Sequence, residues 1–297
     1  MIFIQGRVIN KVQGFYYVKT EKGVLECKLR GLLKRSERKE NCVVGDIVEV
    51  SDENSIIEIV KRKNLLLRPV VSNIDHLVIQ FAAKNPVIDY ERLNILILHS
   101  FHNNIEPVVV INKIDLVTEE EISEIKENLE YLKTINVPVF YISTEQNIGV
   151  SELETLLIDK LTAFGGPSGV GKSSIINMLQ SSRELKTGAT SERLKRGKHT
   201  TRDSNLLPMN KGGFIIDTPG FSSVEYPEIE NIDDLIKLFP EFNLNTKGCK
   251  FSNCIHINEP ECGVKDLVEE GKISKTRYEF YKKIYETLKK ESWNKYK

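Results

Sequence analysis

The sequence has no long hydrophobic run. Nowhere in its 297 residues does an apolar stretch approach the roughly 18 positions that a membrane-spanning helix needs. The first residues, MIFIQGRV, also lack the longer apolar segment of a secretory signal. We therefore expect neither a membrane-spanning nor a secreted protein. The prediction is a cytoplasmic location and no membrane partner.

Net charge is also absent, because 42 basic side chains balance 42 acidic ones. The first 68 residues carry five more basic than acidic side chains, and residues 265–297 carry four more, so the middle of the chain is acidic. Any contact with nucleic acid is therefore expected to be made by the two ends. With 40% apolar and 28% charged residues the chain is predicted to be globular, and its length favours two or three domains.

Cysteine is scarce, and a disulfide framework is not expected in a reducing compartment. Five cysteines are present, two of them in the first 42 residues and three close together near the C-terminus. These three join a histidine in the spacing Cys249-x4-Cys254-x-His256-x5-Cys262. Three thiolates and one imidazole are the ligand set of a closed tetrahedral zinc site. The sequence predicts one structural Zn²⁺, and packed or isolated thiols are the alternative.

The first 60 residues contain five short apolar or alternating segments: IFIQGRVI, FYYVKT, VLECKL, GDIVEV and SIIEIV. Five short strands in so small a unit predict a closed β-barrel of the oligonucleotide-binding type, over residues 1–68. Its longest connection, RGLLKRSERKENC, carries five basic side chains: Arg30, Lys34, Arg35, Arg38 and Lys39. A charged loop alone is usually solvated, whereas its position on this barrel favours contact with an RNA backbone.

Residues 61–69, KRKNLLLRP, are interpreted as a linker, after which predicted strands alternate with helices. Capping boxes at 118–121 and 151–154 predict the starts of two of these helices. Buried parallel strands alternating with helices indicate a doubly wound α/β sheet that binds ligand at the carboxyl ends of its strands. Residues 226–297 are predicted to form a helical zinc-binding domain. Strands are predicted at 74–82, 107–113, 137–143, 160–164 and 212–220.

A glycine-rich segment, GPSGVGKSS, lies between a predicted strand and a predicted helix, which is the context of a phosphate-binding loop. Backbone N–H groups of such a loop converge on phosphate oxygens, and the helix N-terminus adds positive potential. Lys172 is predicted to bridge the β- and γ-phosphates during catalysis, and the Ser173 hydroxyl to bind Mg²⁺. The predicted nucleotide contacts here are Gly166, Pro167, Ser168, Gly169, Val170, Gly171, Lys172, Ser173 and Ser174.

The tetrapeptide NKID, at 112–115, favours guanine over adenine. Asp115 can accept hydrogen bonds from the N1–H and the 2-amino group of guanine, and adenine offers no matching donors. Asn112 and Lys113 are expected to brace the base and the phosphate loop. The backbone N–H groups of Ser143 and Thr144, at the end of the next predicted strand, are candidates for contact with the guanine O6.

Two further segments complete the set of nucleotide motifs. DTPG ends the predicted strand at 212–220, where Asp217 would hold Mg²⁺ through water and the Gly220 N–H would contact the γ-phosphate. GKHTTR lies in a polar stretch suited to a switch loop. There Thr200 or Thr201 would reach Mg²⁺ and the γ-phosphate during catalysis.

The order of these motifs is unusual, because guanine recognition at 112–115 precedes the phosphate loop at 166–174. A nucleotide-binding domain whose original ends are joined, and whose chain is cut elsewhere, keeps every strand in place. The sequence therefore predicts a circularly permuted P-loop GTPase domain over residues 69–225, with its pocket intact. Its switch and its Mg²⁺-binding strand lead directly into the C-terminal segment.

The barrel, NKID, GPSGVGKSS, GKHTT, DTPGF and the Cys/His spacing together resemble the RsgA-type (YjeQ/YloQ) family of circularly permuted GTPases, over essentially the whole chain. The resemblance implies hydrolysis of GTP to GDP, stimulated by the 30S ribosomal subunit during its late maturation. It also implies that the barrel and the zinc domain dock on 16S rRNA, and that Mg²⁺ accompanies GTP.

One position departs from GTPases generally. Phe221 follows DTPG where many GTPases carry a glutamine that orients water. The resemblance implies that His199, in the switch, is the catalytic substitute. A solvated loop histidine is the alternative.

Two other functions stay open. One is an RNA-binding scaffold whose nucleotide pocket is only structural, and the other is a permuted GTPase of large-subunit assembly. The complete phosphate, Mg²⁺ and base motifs disfavour the scaffold, and the pairing of barrel with zinc site disfavours the large subunit. A monomer is expected by default.

Overall fold

The computed structural model describes residues 3–30, 42–67, 69–181, 205–217 and 225–295. Along the chain these residues form a β-barrel, a mostly parallel sheet flanked by helices, and a helical C-terminal unit. None of the helices in these ranges is both long and apolar enough to cross a membrane.

The predicted five-stranded barrel is confirmed. Its strands close in the order β1–β2–β3–β5–β4, and their alternating side chains fill the interior with residues such as Val18, Cys27 and Ile56. Arg30 is exposed, whereas the other four basic residues of the predicted loop lie outside the described residues. The strands are β1 (Ile4–Val12), β2 (Phe15–Thr20), β3 (Gly23–Leu29), β4 (Ile47–Val50) and β5 (Ser55–Ile59).

The interpretation of residues 61–69 as a linker is wrong. Leu65–Leu67 forms strand β6, which pairs in antiparallel fashion with strand β7, Val70–Ser72. The cause is apolar burial: Leu66 and Val71 face each other in register and are both buried. The short hairpin therefore packs into the core between barrel and sheet instead of spanning solvent.

The barrel is joined to the rest of the chain through the buried carboxylate of Asp46. This carboxylate accepts hydrogen bonds from Arg62 Nε at 2.7 Å, from Ser72 Oγ at 2.6 Å and from the Val43 N–H at 2.8 Å. The neighbouring Gly45 has φ +94°, and a Cβ there would lie 2.1 Å from the Ser72 carbonyl oxygen. A side chain at that position is excluded, so glycine allows the two backbones to approach.

The predicted doubly wound sheet is confirmed, with strand order β10–β9–β8–β11–β13–β12. All neighbours are parallel except β12, which runs antiparallel to β13. The strands are β8 (His76–Ala82), β9 (Glu106–Asn112), β10 (Val139–Tyr141), β11 (Leu161–Gly165), β12 (Leu207–Pro208) and β13 (Phe214–Asp217). The helices are α1 (Tyr90–His102), α2 (Glu119–Asn128), α3 (Val150–Leu156) and α4 (Lys172–Leu179).

One of the two predicted capping boxes is present. Thr118 and Glu121 exchange side-chain and backbone hydrogen bonds at the start of α2. The capping box predicted at 151–154 is wrong, because α3 begins one residue earlier, at Val150. Val150 is buried, and Gly149 takes the N-cap position with a left-handed φ of +70°.

The C-terminal unit is helical in the residues described after 225. It contains α5 (Ile232–Lys237), the 3-10 helix Pro240–Gly248, α6 (Gly263–Glu269) and α7 (Lys275–Lys295). Helix α1 joins this unit to the sheet, because its residues Leu93 and Leu96 pack in the sheet core while Ile95 and Leu98 pack in the C-terminal core. The two units therefore share one helix.

Candidate nucleotide site and metal centre

The segment 166–171 forms a loop between β11 and α4, at the carboxyl edge of the parallel sheet. Gly166 opens the loop with φ +132°, and a Cβ on it would lie 2.1 Å from the Gln80 carbonyl oxygen. The loop can therefore pass close over β8 only with glycine at this position. Ser168, Gly169 and Ser173 are exposed, so this face of the loop is open to a ligand.

Lys172 lies at the first position of α4, and its ammonium group folds back over the loop. Its Nζ donates to the carbonyl oxygens of Gly166 at 2.9 Å and Pro167 at 2.7 Å. Charge-assisted hydrogen bonds to phosphate oxygens are stronger than bonds to neutral carbonyls. A phosphate placed on the loop would therefore compete well for this ammonium group.

The NKID motif contacts the phosphate loop directly. Asn112 Nδ2 donates to the Val170 carbonyl oxygen at 3.0 Å. Lys113 Nζ donates to the Gly169 carbonyl oxygen and to the Asn85 carbonyl oxygen, each at 2.6 Å. Lys113 holds a left-handed φ of +61°, which is uncommon for a lysine and marks a constrained position. Two segments more than fifty residues apart thus form one site.

Asp115 lies in the 3-10 helix Ile114–Leu116, and its carboxylate is half-buried. The hydroxyl of the buried Ser143 donates to Asp115 Oδ1 at 2.5 Å and accepts the Gln146 N–H at 3.0 Å. This chain of hydrogen bonds orients the carboxylate from one side. A carboxylate has about four acceptor positions, so the bond to Ser143 leaves it able to accept the two guanine donors.

The backbone N–H groups of Ser143 and Thr144 already have protein acceptors. The Ser143 N–H donates to the Ile148 carbonyl oxygen at 3.0 Å, and the Thr144 N–H donates to Asn112 Oδ1 at 3.2 Å. A bond from either group to guanine O6 would require one of these bonds to exchange. Their contact with O6 stays a prediction. The side-chain bond from Ser143 to Asp115 was not foreseen from the sequence.

The remaining nucleotide residues are only partly described. Asp217 ends β13, where its backbone pairs in register with Phe164, two residues before Gly166. The carboxyl end of β13 therefore lies beside the end of the strand that leads into the phosphate loop. The predicted positions His199, Thr200, Thr201 and Gly220 lie outside the described residues.

The four predicted zinc ligands come together at one point. The ligand atoms of Cys249, Cys254, His256 and Cys262 all lie within 4.8 Å of one another. The two thiols of Cys254 and Cys262 are 3.7 Å apart, and His256 Nδ1 is 3.4 Å from the Cys262 sulfur. A tetrahedral Zn²⁺ with about 2.3 Å bonds to sulfur and 2.0–2.1 Å bonds to nitrogen requires separations of roughly 3.5–3.8 Å. The residues therefore fit the metal.

The surroundings of these ligands also suit a cation. Burial raises the pKa of the Cys254 thiol to about 12 and lowers the pKa of His256, so this thiol needs a cation to become a thiolate, while burial keeps the imidazole neutral. The hydroxyls of Tyr278 and Tyr281 donate to the carbonyl oxygens of His256 and Ile255, at 2.7 Å and 2.6 Å. Helix α7 thus fixes the backbone that carries the histidine.

The chain matches family models over most of its length. The RsgA N-terminal domain matches residues 5–57, and the RsgA GTPase matches residues 59–227. A protein of Fusobacterium nucleatum named small ribosomal subunit biogenesis GTPase RsgA is 63% identical over 287 residues, which is 97% of this chain and all of that protein. A protein of the same name from Clostridium botulinum is 42% identical, over 99% of this chain and all of that protein.

Solved structures that resemble this chain in fold include YjeQ and YloQ. YjeQ from Thermotoga maritima aligns with a TM-score of 0.81 and 33% identity, over 97% of this chain and 99% of that one. YloQ, described as a circularly permuted GTPase, aligns with a TM-score of 0.82 and 30% identity, over 98% of this chain and 96% of that one. The permuted order of motifs predicted from this sequence therefore agrees with the description of a solved structure of similar fold. This chain belongs to the RsgA GTPase family.

Proposed function

We propose that this chain hydrolyses GTP to GDP in the biogenesis of the small ribosomal subunit, and that the 30S subunit stimulates the reaction. The observation that carries the proposal is the bracing of the phosphate loop by the guanine motif. Asn112 holds the Val170 carbonyl and Lys113 holds the Gly169 carbonyl. Base recognition and phosphate binding are thereby parts of one pocket, despite their reversed order in the sequence.

In this pocket Asp115 would select guanine, and Lys172 would exchange its carbonyl partners for β- and γ-phosphate oxygens. Ser173 is exposed beside the loop, where its hydroxyl would bind Mg²⁺ together with Thr201 and, through water, Asp217. The Mg²⁺ ion supplies charge neutralisation on the phosphates.

The zinc site is proposed to be structural, with one Zn²⁺ held by all four ligands. A closed set of three cysteines and one histidine leaves no position for a substrate. The ion would hold the loop between the 3-10 helix Pro240–Gly248 and α6 against α7. We expect domains over residues 1–68, 69–225 and 226–297, with the hairpin β6–β7 connecting the first two and the C-terminal domain dependent on the metal.

Contact with 16S rRNA is proposed for the barrel and the zinc domain. On the barrel, Lys28 lies over the partly exposed ring of Phe15 at 5.0 Å, and Arg30 is exposed just after the end of the same strand as Lys28. Cations beside aromatic rings suit single-stranded RNA, because phosphates pair with the cations and bases stack on the rings. The protein is expected to act as a cytoplasmic monomer.

The test combines turnover with sedimentation. GTP hydrolysis is measured for the purified chain alone, with 30S subunits and with 50S subunits, and each mixture is centrifuged to recover bound protein. We expect 30S subunits to stimulate GTP hydrolysis and to co-sediment with the protein, and 50S subunits to do neither. Lys172→Ala is the inactive control. Binding to 30S without turnover would favour the RNA-binding scaffold, and stimulation by 50S would favour large-subunit assembly.

A further inference from the structure

Gln80 is a polar exception in a buried apolar strand. The β8 residues around it, from Leu77 to Ala82, are apolar, and all of them are buried. Placing a primary amide in such surroundings is unfavourable unless its donors and acceptor find partners. The position of this glutamine in the sheet therefore needs an explanation beyond packing.

The side chain of Gln80 is directed towards the phosphate loop. Its Nε2 donates to the Val170 carbonyl oxygen at 3.0 Å, and the residue is fully buried. Its Oε1 is also buried and has no hydrogen-bond partner within the part of the chain that the structure describes. A buried amide that bonds the loop while its oxygen is unsatisfied does little for the stability of the strand. Its contact with the loop accounts for its presence.

The Val170 carbonyl oxygen receives two amides. Asn112 Nδ2 donates to it at 3.0 Å from β9, and Gln80 donates to it from the adjacent strand β8. One carbonyl oxygen has two lone pairs, so both are used. The backbone oxygen of Gln80 also lies beneath Gly166, at the opposite end of the loop. Gln80 therefore contacts the loop at both ends.

This arrangement sets the direction of a loop N–H. The peptide between Val170 and Gly171 is planar and trans, so its carbonyl and its N–H point in opposite directions. With the Val170 carbonyl held towards the sheet by Gln80 and Asn112, the Gly171 N–H points away from the sheet, towards the open face of the loop. A nucleotide phosphate on this face would meet that donor already oriented.

We propose that Gln80 is a positioning residue for phosphate binding, an inference that rests on the proposed function of the pocket. It contributes to the affinity for the nucleotide phosphates and not to the choice of base. Asn112 would still hold the Val170 carbonyl if Gln80 were replaced, so the loss would be partial.

The test compares Gln80→Met with Thr162→Val. Methionine keeps the length of the side chain and removes the donor, and Gln80→Leu is a second variant should the first not fold. Thr162 is the matched control, because it lies on β11 with a fully buried hydroxyl that has no partner among the described residues. Affinities for GDP, GMP and XDP are measured by competition against a fluorescent GDP analogue, together with hydrogen exchange of segment 166–171 in the free protein.

For the Gln80 variants we expect GDP affinity to fall about fivefold to tenfold, the loss of one buried hydrogen bond. GMP affinity should change by less than about twofold, the preference for GDP over XDP should be unchanged, and exchange in segment 166–171 should accelerate. Thr162→Val should change none of these. If GDP affinity and the hydrogen exchange of segment 166–171 are unchanged, or if GDP and GMP lose affinity equally, the proposed role of Gln80 is overturned. The proposed function of the pocket would not be affected by either result. Failure of the unaltered protein to bind GDP would overturn the proposed function as well.

Discussion

Arg277 and Glu241 form an ion pair in which each side chain is only 1% exposed, with 2.8 Å between Nε and Oε1. Arg277 also donates to Asn94 Oδ1 at 3.1 Å, and the Tyr131 hydroxyl donates to the same oxygen at 3.2 Å. Asn94 belongs to the helix that the sheet and the C-terminal unit share, and Tyr131 lies in the 3-10 helix Glu130–Ile135. One buried network therefore joins the two units.

Arg277→Met should destabilise the chain by about 3–5 kcal/mol, because it leaves the Glu241 carboxylate buried without its partner. Urea denaturation measures the free energy of unfolding of each variant. The double variant Arg277→Met/Glu241→Met should recover much of the loss, since it removes both charges. Lys283→Met is the control, because it breaks an exposed ion pair with Glu91 between the same two units and should change little. If Arg277→Met and Lys283→Met destabilise the chain equally, the buried network contributes no more to stability than the exposed ion pair does.

Asp115→Asn should weaken GTP binding by about 2–4 kcal/mol and shift the preference towards xanthine nucleotides. The new amide places a donor against the guanine donors, whereas xanthine offers an acceptor at that position. Asparagine Oδ1 can still accept the Ser143 hydroxyl, so the local structure should be kept. Competition between GTP and XTP measures the change. Ser143→Ala is the control, and it should weaken GTP binding without changing the preference for GTP over XTP. Unaltered GTP/XTP selectivity in Asp115→Asn would show that Asp115 does not recognise the base.

Much of the architecture followed from short-range patterns. The barrel strands alternate apolar and polar residues, and the parallel strands are apolar runs, so both could be located without the structure. The hairpin at 65–72 was missed because three leucines, a proline and two valines are too short a pattern to separate a strand from a linker. In that segment burial against the barrel and the sheet decided the conformation.

For the candidate site, too, local features could be predicted from the sequence and long-range contacts could not. Its motifs and the zinc spacing are local, whereas the contacts of Gln80 and Arg277 are not. Gln80 bonds a residue 90 positions away and Arg277 bonds one 183 positions away, and neither pair belongs to a periodic pattern. For the contact of Gln80 with the loop, the available signal in the sequence was a glutamine within an apolar strand. The switch residues are known only from their motif.

Metal analysis of protein purified without chelators should give about one Zn²⁺ per chain. Cys254→Ser should lose the metal and destabilise the C-terminal domain, because a hydroxyl is a poor substitute for a thiolate and the site holds the loop against α7. Guanine nucleotide affinity should change little. Cys27→Ser serves as the comparison, since this buried cysteine lies in the barrel and away from the ligand cluster. Metal-free protein with normal stability would contradict a structural zinc site.

His199→Ala should separate binding from chemistry. Phe221 has no group that can orient water, so the attacking water needs a polar side chain from elsewhere, and the switch is the nearest source in the sequence. The described chain resumes after the switch at a fixed point: the Leu206 N–H donates to the Ile9 carbonyl oxygen of β1 at 3.0 Å, and Leu206 is buried. Docking of the barrel on the 30S subunit would therefore act close to Leu206, the residue that β1 holds.

If docking orders the switch and brings the imidazole to the water, it should raise kcat and leave nucleotide affinity unchanged. His199→Ala should then keep GTP and 30S binding and lose the stimulated rate by about 10²-fold or more. His102→Ala is the comparison, because His102 is an exposed histidine at the end of α1 and should retain full stimulation. Single-turnover hydrolysis with saturating 30S subunits measures the step. A His199→Ala protein that still hydrolyses GTP at the unaltered, stimulated rate would mean that another group positions the water.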